Sequence, residues 1–325
     1  MSSLAQVAAR ARVYPFQKAR PVSHGRRVII AGNPHLALVR AIAKHERSAV
    51  SAFVKVMLKP QVSEDAIAQT VAQGSPTPSF EHEVKDLFGA YLSALGKVRD
   101  RMSEPVIAHV AQSVERHARR KATLFNSEPA KSRLAATYAK RDKALIVNLT
   151  AEQRRATYRA LSRAATESLH PHEVAKAIRD SIGMTEQMTQ RLANYEGQLF
   201  EKGYVGEQFT RAVERFAGQL IRQRAETIAR TEMSWAYNRA QIDTMQEASA
   251  QLDMPMVKEW FGADDELECP VCLALNGERV PLDATFSDGE EGPPDHPNCR
   301  CGLIYDVAED KPTALPEGQQ SIEGD

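Results

Sequence analysis

From Gly206 to Leu252 the chain reads GEQFTRAVERFAGQLIRQRAETIARTEMSWAYNRAQIDTMQEASAQL, and inside that run the strongest breaker is a single glycine, Gly218. Phe209, Val213, Phe216, Leu220 and Ile228 recur at helical spacing and mark an apolar stripe. The stretch predicts one long helix, or two with a kink near Gly218, stopped by Pro255. It sets the fold class: mainly α, a helical body with one long helix.

Upstream, helical periodicity continues with punctuation. Asn33-Pro34 opens a helix to about Leu58, broken by Lys59-Pro60. A short helix over 62–72 precedes the loop Gly74-Ser75-Pro76-Thr77-Pro78. Val84, Leu87, Phe88, Tyr91, Leu92, Leu95 and Val98 predict an amphipathic helix that Pro105 ends or kinks, followed by a basic helix to Arg120-Lys121. Residues 122–148 are ambiguous, with Ala144-Leu145-Ile146-Val147 readable as a short strand or a buried turn. Thr150 with Gln153 reads as a capping box for a helix to about Leu169. His170-Pro171 opens another, closed by Gly183, and Thr185 to Phe200 a third, closed by Gly203.

Downstream of Pro255 the pattern changes. Residues 257–261 read as a strand, Asn276-Gly277 as a tight turn, Arg279 to Phe286 as a second strand and Gly302 to Val307 as a third. The chain therefore divides into a basic N-terminal arm (1–32), a helical body (33–255), a small Cys/His-bearing β-rich module (256–307) and an acidic tail (308–325) expected to be disordered.

Composition narrows the class. The 325 residues are 42% hydrophobic and 26% charged, so wholesale disorder and fibrous repeats are excluded. No apolar run is long enough for a membrane span. Arginines occupy the N-terminus where a secretory leader needs its apolar stretch. Aromatics at 6% disfavour a large all-β core. The zero net charge conceals a gradient: residues 1–50 carry nine bases and one acid, residues 101–170 fourteen bases and six acids, and residues 251–325 four bases and 18 acids. Such asymmetry concerns partners and not fold. The basic segments suit nucleic acid, an acidic protein surface, or simply a solvated helical face.

All four cysteines fall in the module: Cys269-Pro-Val-Cys272, then Cys299-Arg-Cys301, with His296 three residues ahead of the second pair. A Cys-x-x-Cys knuckle can turn two thiolates onto one tetrahedral ion, and zinc favours four N/S ligands. Five candidates compete for four places: the four cysteines, or His296 replacing one of the second pair. The second pair is Cys-x-Cys, which departs from a regular zinc ribbon. The module's large apolar residues are few (Trp260, Phe261, Leu273, Leu275, Phe286, Ile304), so a structural zinc would supply the staple so small a core needs. The other reading is free or disulfide-paired thiols. Nothing marks a catalytic zinc: no His-Glu-x-x-His or deaminase-type His-x-Glu is present. Asp295-His296-Pro297 near two cysteine pairs resembles an HNH-type nuclease, which offers a metal-dependent nuclease as the alternative function. That chemistry needs a further His or Asn downstream, and none follows Cys301.

On the long segment, Glu226 and Arg230 are four apart, as are Trp235 and Arg239, which spacing alone assigns to helix-surface pairing. The ordered set is more specific than the spacing. Ile228-Ala229-Arg230-Thr231-Glu232, Ala236-Tyr237-Asn238, Trp260, Cys269-Pro-Val-Cys272, Asn276-Gly277, Phe286 and Pro293-Pro294-Asp295-His296-Pro297-Asn298-Cys299-Arg300-Cys301 resemble the C-terminal domain of the phage Mu protein F-like, or SPP1 gp7-like, head morphogenesis proteins. The resemblance covers roughly 170–303; within the body, 170–255 is the family-like part. It implies a minor head protein of a tailed phage or prophage, not an enzyme, associated with the portal and other head proteins. It implies action in head assembly and in DNA packaging or ejection, in the virion near the portal and in host cytoplasm during assembly. Arg230, Glu232 and Asn238 are the helix motif it singles out, with no catalytic role. Nonspecific contact with double-stranded DNA is the expected use of the basic segments, since no helix-turn-helix or other base-reading motif is present.

Overall fold

A computed structural model describes residues 34–58, 62–118, 125–167, 174, 183–262 and 268–308. The basic arm, the acidic tail beyond 308 and most of the helix expected after His170 lie outside the described residues; of that helix, Val174 is helical and buried. Among the described residues no helix is long and apolar enough to cross a membrane.

The body is built from α1 (Pro34–Met57), α2 (Glu64–Gln73), α3 (Pro78–Ala118), α4 (Glu128–Glu167), α5 (Glu186–Glu201) and α6 (Gly206–Leu252). Local chemistry sets several ends. Ser63 Oγ caps α2 by accepting from the Ala66 N–H, and Gly74 closes it at φ 68°, a left-handed conformation that favours glycine. Thr185 caps α5 by accepting from the Met188 N–H.

α6 is continuous through Gly218, 47 residues or ~70 Å long. It packs against α1, α3, α4 and α5, most extensively against α3. Its first half shows the expected stripe, with Val213 and Leu220 buried and Phe209, Phe216 and Ile228 half-buried. Its second half is enclosed almost all round. Ala225, Ala229, Ala236, Ala240 and Ala248 are fully buried and let neighbouring elements approach closely. Glu232, Ser234, Asn238, Gln241, Asp243 and Thr244 are buried as well, which a soluble amphipathic helix does not show.

Three expectations are corrected here. Pro105 neither ends nor splits α3, which runs on to Ala118; Met102, Val106, Ile107 and Val110 are buried around it, and that packing outweighs the loss of one backbone bond. Ala144 to Val147 are helical, inside α4, not a strand or turn. Thr150 opens nothing, since α4 begins at Glu128; Gln153 is buried, and its Oε1 accepts from the Gly183 N–H 30 residues on, at 3.1 Å.

The module contains a three-stranded antiparallel sheet in the order β2-β1-β3, formed by β1 (Met256–Phe261), β2 (Arg279–Pro281) and β3 (Gly302–Val307). The second strand is shorter than expected. The strand ends at Pro281, the Leu282 N–H still donates to the Met256 carbonyl of β1 at 3.0 Å, and the residues from Asp283 to Phe286 leave the sheet. A short helix, α7 (Pro270–Leu275), occupies the knuckle. Asn276-Gly277 does turn the chain, with Gly277 at φ 87° and its N–H on the Trp260 carbonyl at 2.8 Å, but it follows α7 instead of joining two strands directly. Trp260 is fully buried and meets Phe286 edge-on at 5.1 Å. Leu273, expected in the core, is exposed.

Candidate metal centre

The two cysteine pairs, 26 residues apart in sequence, meet at His296 and Cys272. Cys269 is the N-cap of α7: its Sγ accepts from the Cys272 N–H at 3.3 Å, which turns both sulfurs to one side. His296 Nε2 lies 3.1 Å from Cys269 Sγ and 3.2 Å from Cys272 Sγ. Cys272 Sγ lies 3.8 Å from Cys299 Sγ. The five donors thus form two triads, Cys269–Cys272–His296 and Cys272–Cys299–Cys301, sharing Cys272.

Three features test whether this donor set suits a metal. Soft thiols with one imidazole are the ligands zinc selects. The 3.8 Å sulfur separation equals the edge of a tetrahedron of ~2.3 Å zinc–sulfur bonds, ~3.8 Å. His296 Nδ1 is 3.0 Å from the Pro297 carbonyl; in the tautomer that donates there, the Nε2 lone pair faces the sulfurs. In addition, the buried indole N–H of Trp260 has no hydrogen-bond partner of normal geometry, yet it sits beside Cys301 and favours its thiolate. The residues fit a cation that would hold these sulfurs as thiolates.

The protons are unevenly shared. Hydrogen bonds from the Cys272 and Cys301 thiols hold Cys299 far below the ordinary thiol range, at about 2. The same bonds, shared with Cys299 and Cys301, push Cys272 up. At Cys301 the Cys272 bond pulls down, but the Cys299 bond and burial prevail, at about 12. Burial raises Cys269, but the N–H bond from Cys272 leaves it lowered. Burial alone would lower His296; its bond to Pro297 and the charges of Cys299 and Cys269 leave it raised. Two low and two high thiols around an imidazole form a network that a divalent cation completes by displacing the remaining protons.

The long helix holds this cluster in place. Asn298 adopts φ 63°, and its N–H donates to Thr231 Oγ1 at 3.0 Å. The Asn238 amide donates to the Cys301 carbonyl at 3.3 Å and to the Ser234 carbonyl at 3.0 Å. Arg239 pairs with Asp243 at 2.9 Å and with Glu291, while Lys258 donates to the Glu291 carbonyl at 2.7 Å. A Cβ on Gly292 would meet Ile242 Cδ1 of α6 and Leu303 Cδ1 of β3 at 3.0 Å each, so a larger residue there would make both side chains shift by a few tenths of an ångström.

The helix motif also reaches the other way. Arg230 does not pair with Glu226: it pairs with Glu46 of α1, its NH2 2.6 Å from Oε1. Glu232 accepts from Arg141 of α4 at 2.7 Å and from Arg99 of α3 at 3.3 Å. Arg99 is fully buried, pairs also with Asp142, and lies over the Tyr138 and Trp235 rings at 4.8 and 5.7 Å. Trp235 is not an Arg239 partner; Arg141 covers it at 4.4 Å. Surface pairing was thus the wrong reading of these spacings. Arg99, Asp142, Arg141 and the Thr231–Asn298 contact had no sequence signal, because each joins residues distant in the chain.

A mainly helical protein with a small thiol-rich module seated on its longest helix is the class that fold and site define. Residues 158–304 match the family model described as Phage Mu protein F like protein, and over that stretch the chain has the family's pattern, as the resemblance implied. This is a structural, phage head morphogenesis family. The match begins within α4, upstream of the 170 expected. No curated protein and no solved structure matches the chain.

Proposed function

We propose that this protein is a minor head protein of a tailed phage or prophage, associated with the portal vertex and acting in head assembly and in DNA packaging or ejection, inside the head. The observation that carries the reading is the joint geometry of the family's two signatures: the Arg230–Asn238 helix motif grips the His296–Cys301 loop through Thr231 and Asn238. Such construction serves rigidity. The donors are consumed by one another, and a cation held by four of them has no open position for a substrate. Zinc, held by four of Cys269, Cys272, His296, Cys299 and Cys301, would staple the module; no step of chemistry is asked of it. Proteomics of purified particles together with co-purification with the portal protein tests the role. Absence from particles and no portal association reject it. Metal-dependent nicking of DNA that disappears in His296→Ala would replace it with a nuclease.

The proposal includes nonspecific contact with double-stranded DNA through the basic segments. Affinity would then fall steeply with salt.

A further inference from the structure

The sequence offers two basic segments of similar net charge, and the structure treats them differently. In the second, five cations of α4 are held in ion pairs. Lys131 pairs with Glu128, Arg133 with Glu247, Arg141 with Glu232, Arg154 with Glu81 and Arg159 with Glu186. Four of these pairs, those of Arg133, Arg141, Arg154 and Arg159, tie α4 to α6, α3 and α5.

Helix α1 is the opposite case. Leu38, Val39, Ile42, Ala49, Phe53 and Met57 face the core, and Arg40, Lys44, Arg47 and Lys55 lie exposed on the other side. Positions 40, 44, 47 and 55 follow one stripe of a 3.6-residue helix and span ~22 Å along its axis. None of the four joins an ion pair among the described residues, and the one acid of α1, Glu46, is committed to Arg230. Arg101 of α3 extends the surface by donating to Ser48 Oγ at 2.6 Å. The local field agrees: burial lowers the His45 pKa, and Lys44 and Arg101 lower it further. The residues ahead of α1, 1–33, add six bases and no acid.

We infer that the α1 stripe of Arg40, Lys44, Arg47 and Lys55, with Arg101 at its flank, is the surface that lies along the phosphate backbone of double-stranded DNA, and that α4 is not. The inference rests on the DNA contact proposed above and assigns its site. Side chains one helical turn apart are ~5–6 Å apart along the axis, close to the ~7 Å step between phosphates on one strand, so successive cations can neutralise successive phosphates without reading bases.

The test is fluorescence anisotropy of a labelled 30-base-pair duplex against salt, using the full chain. Three proteins are compared: wild type, Arg40→Ala/Lys44→Ala/Arg47→Ala/Lys55→Ala, and the control Lys140→Ala/Lys143→Ala/Arg155→Ala, which removes exposed cations of α4 outside its ion pairs. Circular dichroism melts check that both variants fold. With ~0.9 counterion released per phosphate, the α1 variant loses ~3.6 from the slope of log affinity against log salt, and the α4 variant keeps most of it. Equal losses in both, or a loss confined to the α4 variant, overturn the stripe and leave the DNA contact standing. No salt-dependent binding by wild type removes both. Displacement by polyglutamate as readily as by unlabelled duplex, at equal charge, marks the stripe as a seat for an acidic protein and overturns the inference.

Discussion

At the residue scale the most consequential side chain is Glu232. It is buried and accepts from two arginines on two helices. Removing one member of a buried charge network leaves the others desolvated and unpaired, at a typical cost of ~3–5 kcal/mol. Glu232→Gln is expected to lower the urea midpoint strongly, and Arg99→Met combined with Glu232→Gln to cost less than the two single changes summed. A cycle that proves additive removes the coupling. Lys258 makes a second residue-scale case. It points into the module between Met256 and Trp260, donates to the Glu291 carbonyl and faces Phe286 at 5.4 Å. Burial lowers its pKa to about 8, with Glu291 and Asp283 opposing and Arg239 adding to the effect. The unfolded lysine titrates near ~10.4, so between pH 8 and 10 the unfolded chain binds more protons and stability rises with pH through that window. Below pH 8 both states are charged and the full cost of burying the ammonium is present. Relative to Lys258→Met, the wild type should gain ~2 kcal/mol between pH 7.5 and 9.5. Paired urea titrations at the two values measure it, and a flat difference means the ammonium is not desolvated.

At the scale of elements, Pro105 isolates one energetic term. It is exposed and lies inside α3, where it leaves the Arg101 carbonyl without its i+4 donor. Pro105→Ala restores that bond and removes the ring without touching the core, so it is expected to stabilise by ~1–3 kcal/mol, read as a rise in thermal midpoint. The same helix shows what was legible in sequence and what was not. Its amphipathic stretch was readable because Val84, Leu87, Tyr91, Leu95 and Val98 all face one core. Its passage through Pro105 was not, since tertiary packing on both sides overrides a local breaker. Likewise Thr150 and Gln153 have cap spacing, yet Gln153 caps a distant backbone N–H. For the site, the five donors and the motif residues Arg230, Glu232 and Asn238 were readable from spacing and order of motifs. Their meeting was not. The direction each α6 residue faces depends on the sheet lying across that helix, and the buried polar face at Ser234, Asn238 and Gln241 reads as solvated until the sheet is in place.

At the scale of the whole molecule, α6 couples two bodies of unequal self-sufficiency. The helical body has a large apolar core, running from Leu38 through Phe53, Phe80, Leu95 and Val110 to Leu220 and Met233. The module's own core rests on Trp260, Leu275, Leu282, Phe286, Leu303 and Tyr305, a set too small to hold three short strands unaided. Metal removal should therefore melt the module and spare the body. The two tryptophans report the two parts separately, Trp260 inside the module and Trp235 between Arg141 and the tilted Tyr138 ring in the body. In a Trp235→Phe protein, chelation is expected to shift the remaining emission to the red as Trp260 meets water, with far-ultraviolet helicity nearly unchanged. In a Trp260→Phe protein the same treatment should leave emission in place. Cys272→Ser is expected to reproduce the chelated spectrum without chelator, because Cys272 is the donor that both triads share. If chelation instead reddens Trp235 and dissolves the helices together with the sheet, the module is not a separately stapled unit, and the grip of α6 on the His296–Cys301 loop organises the entire fold.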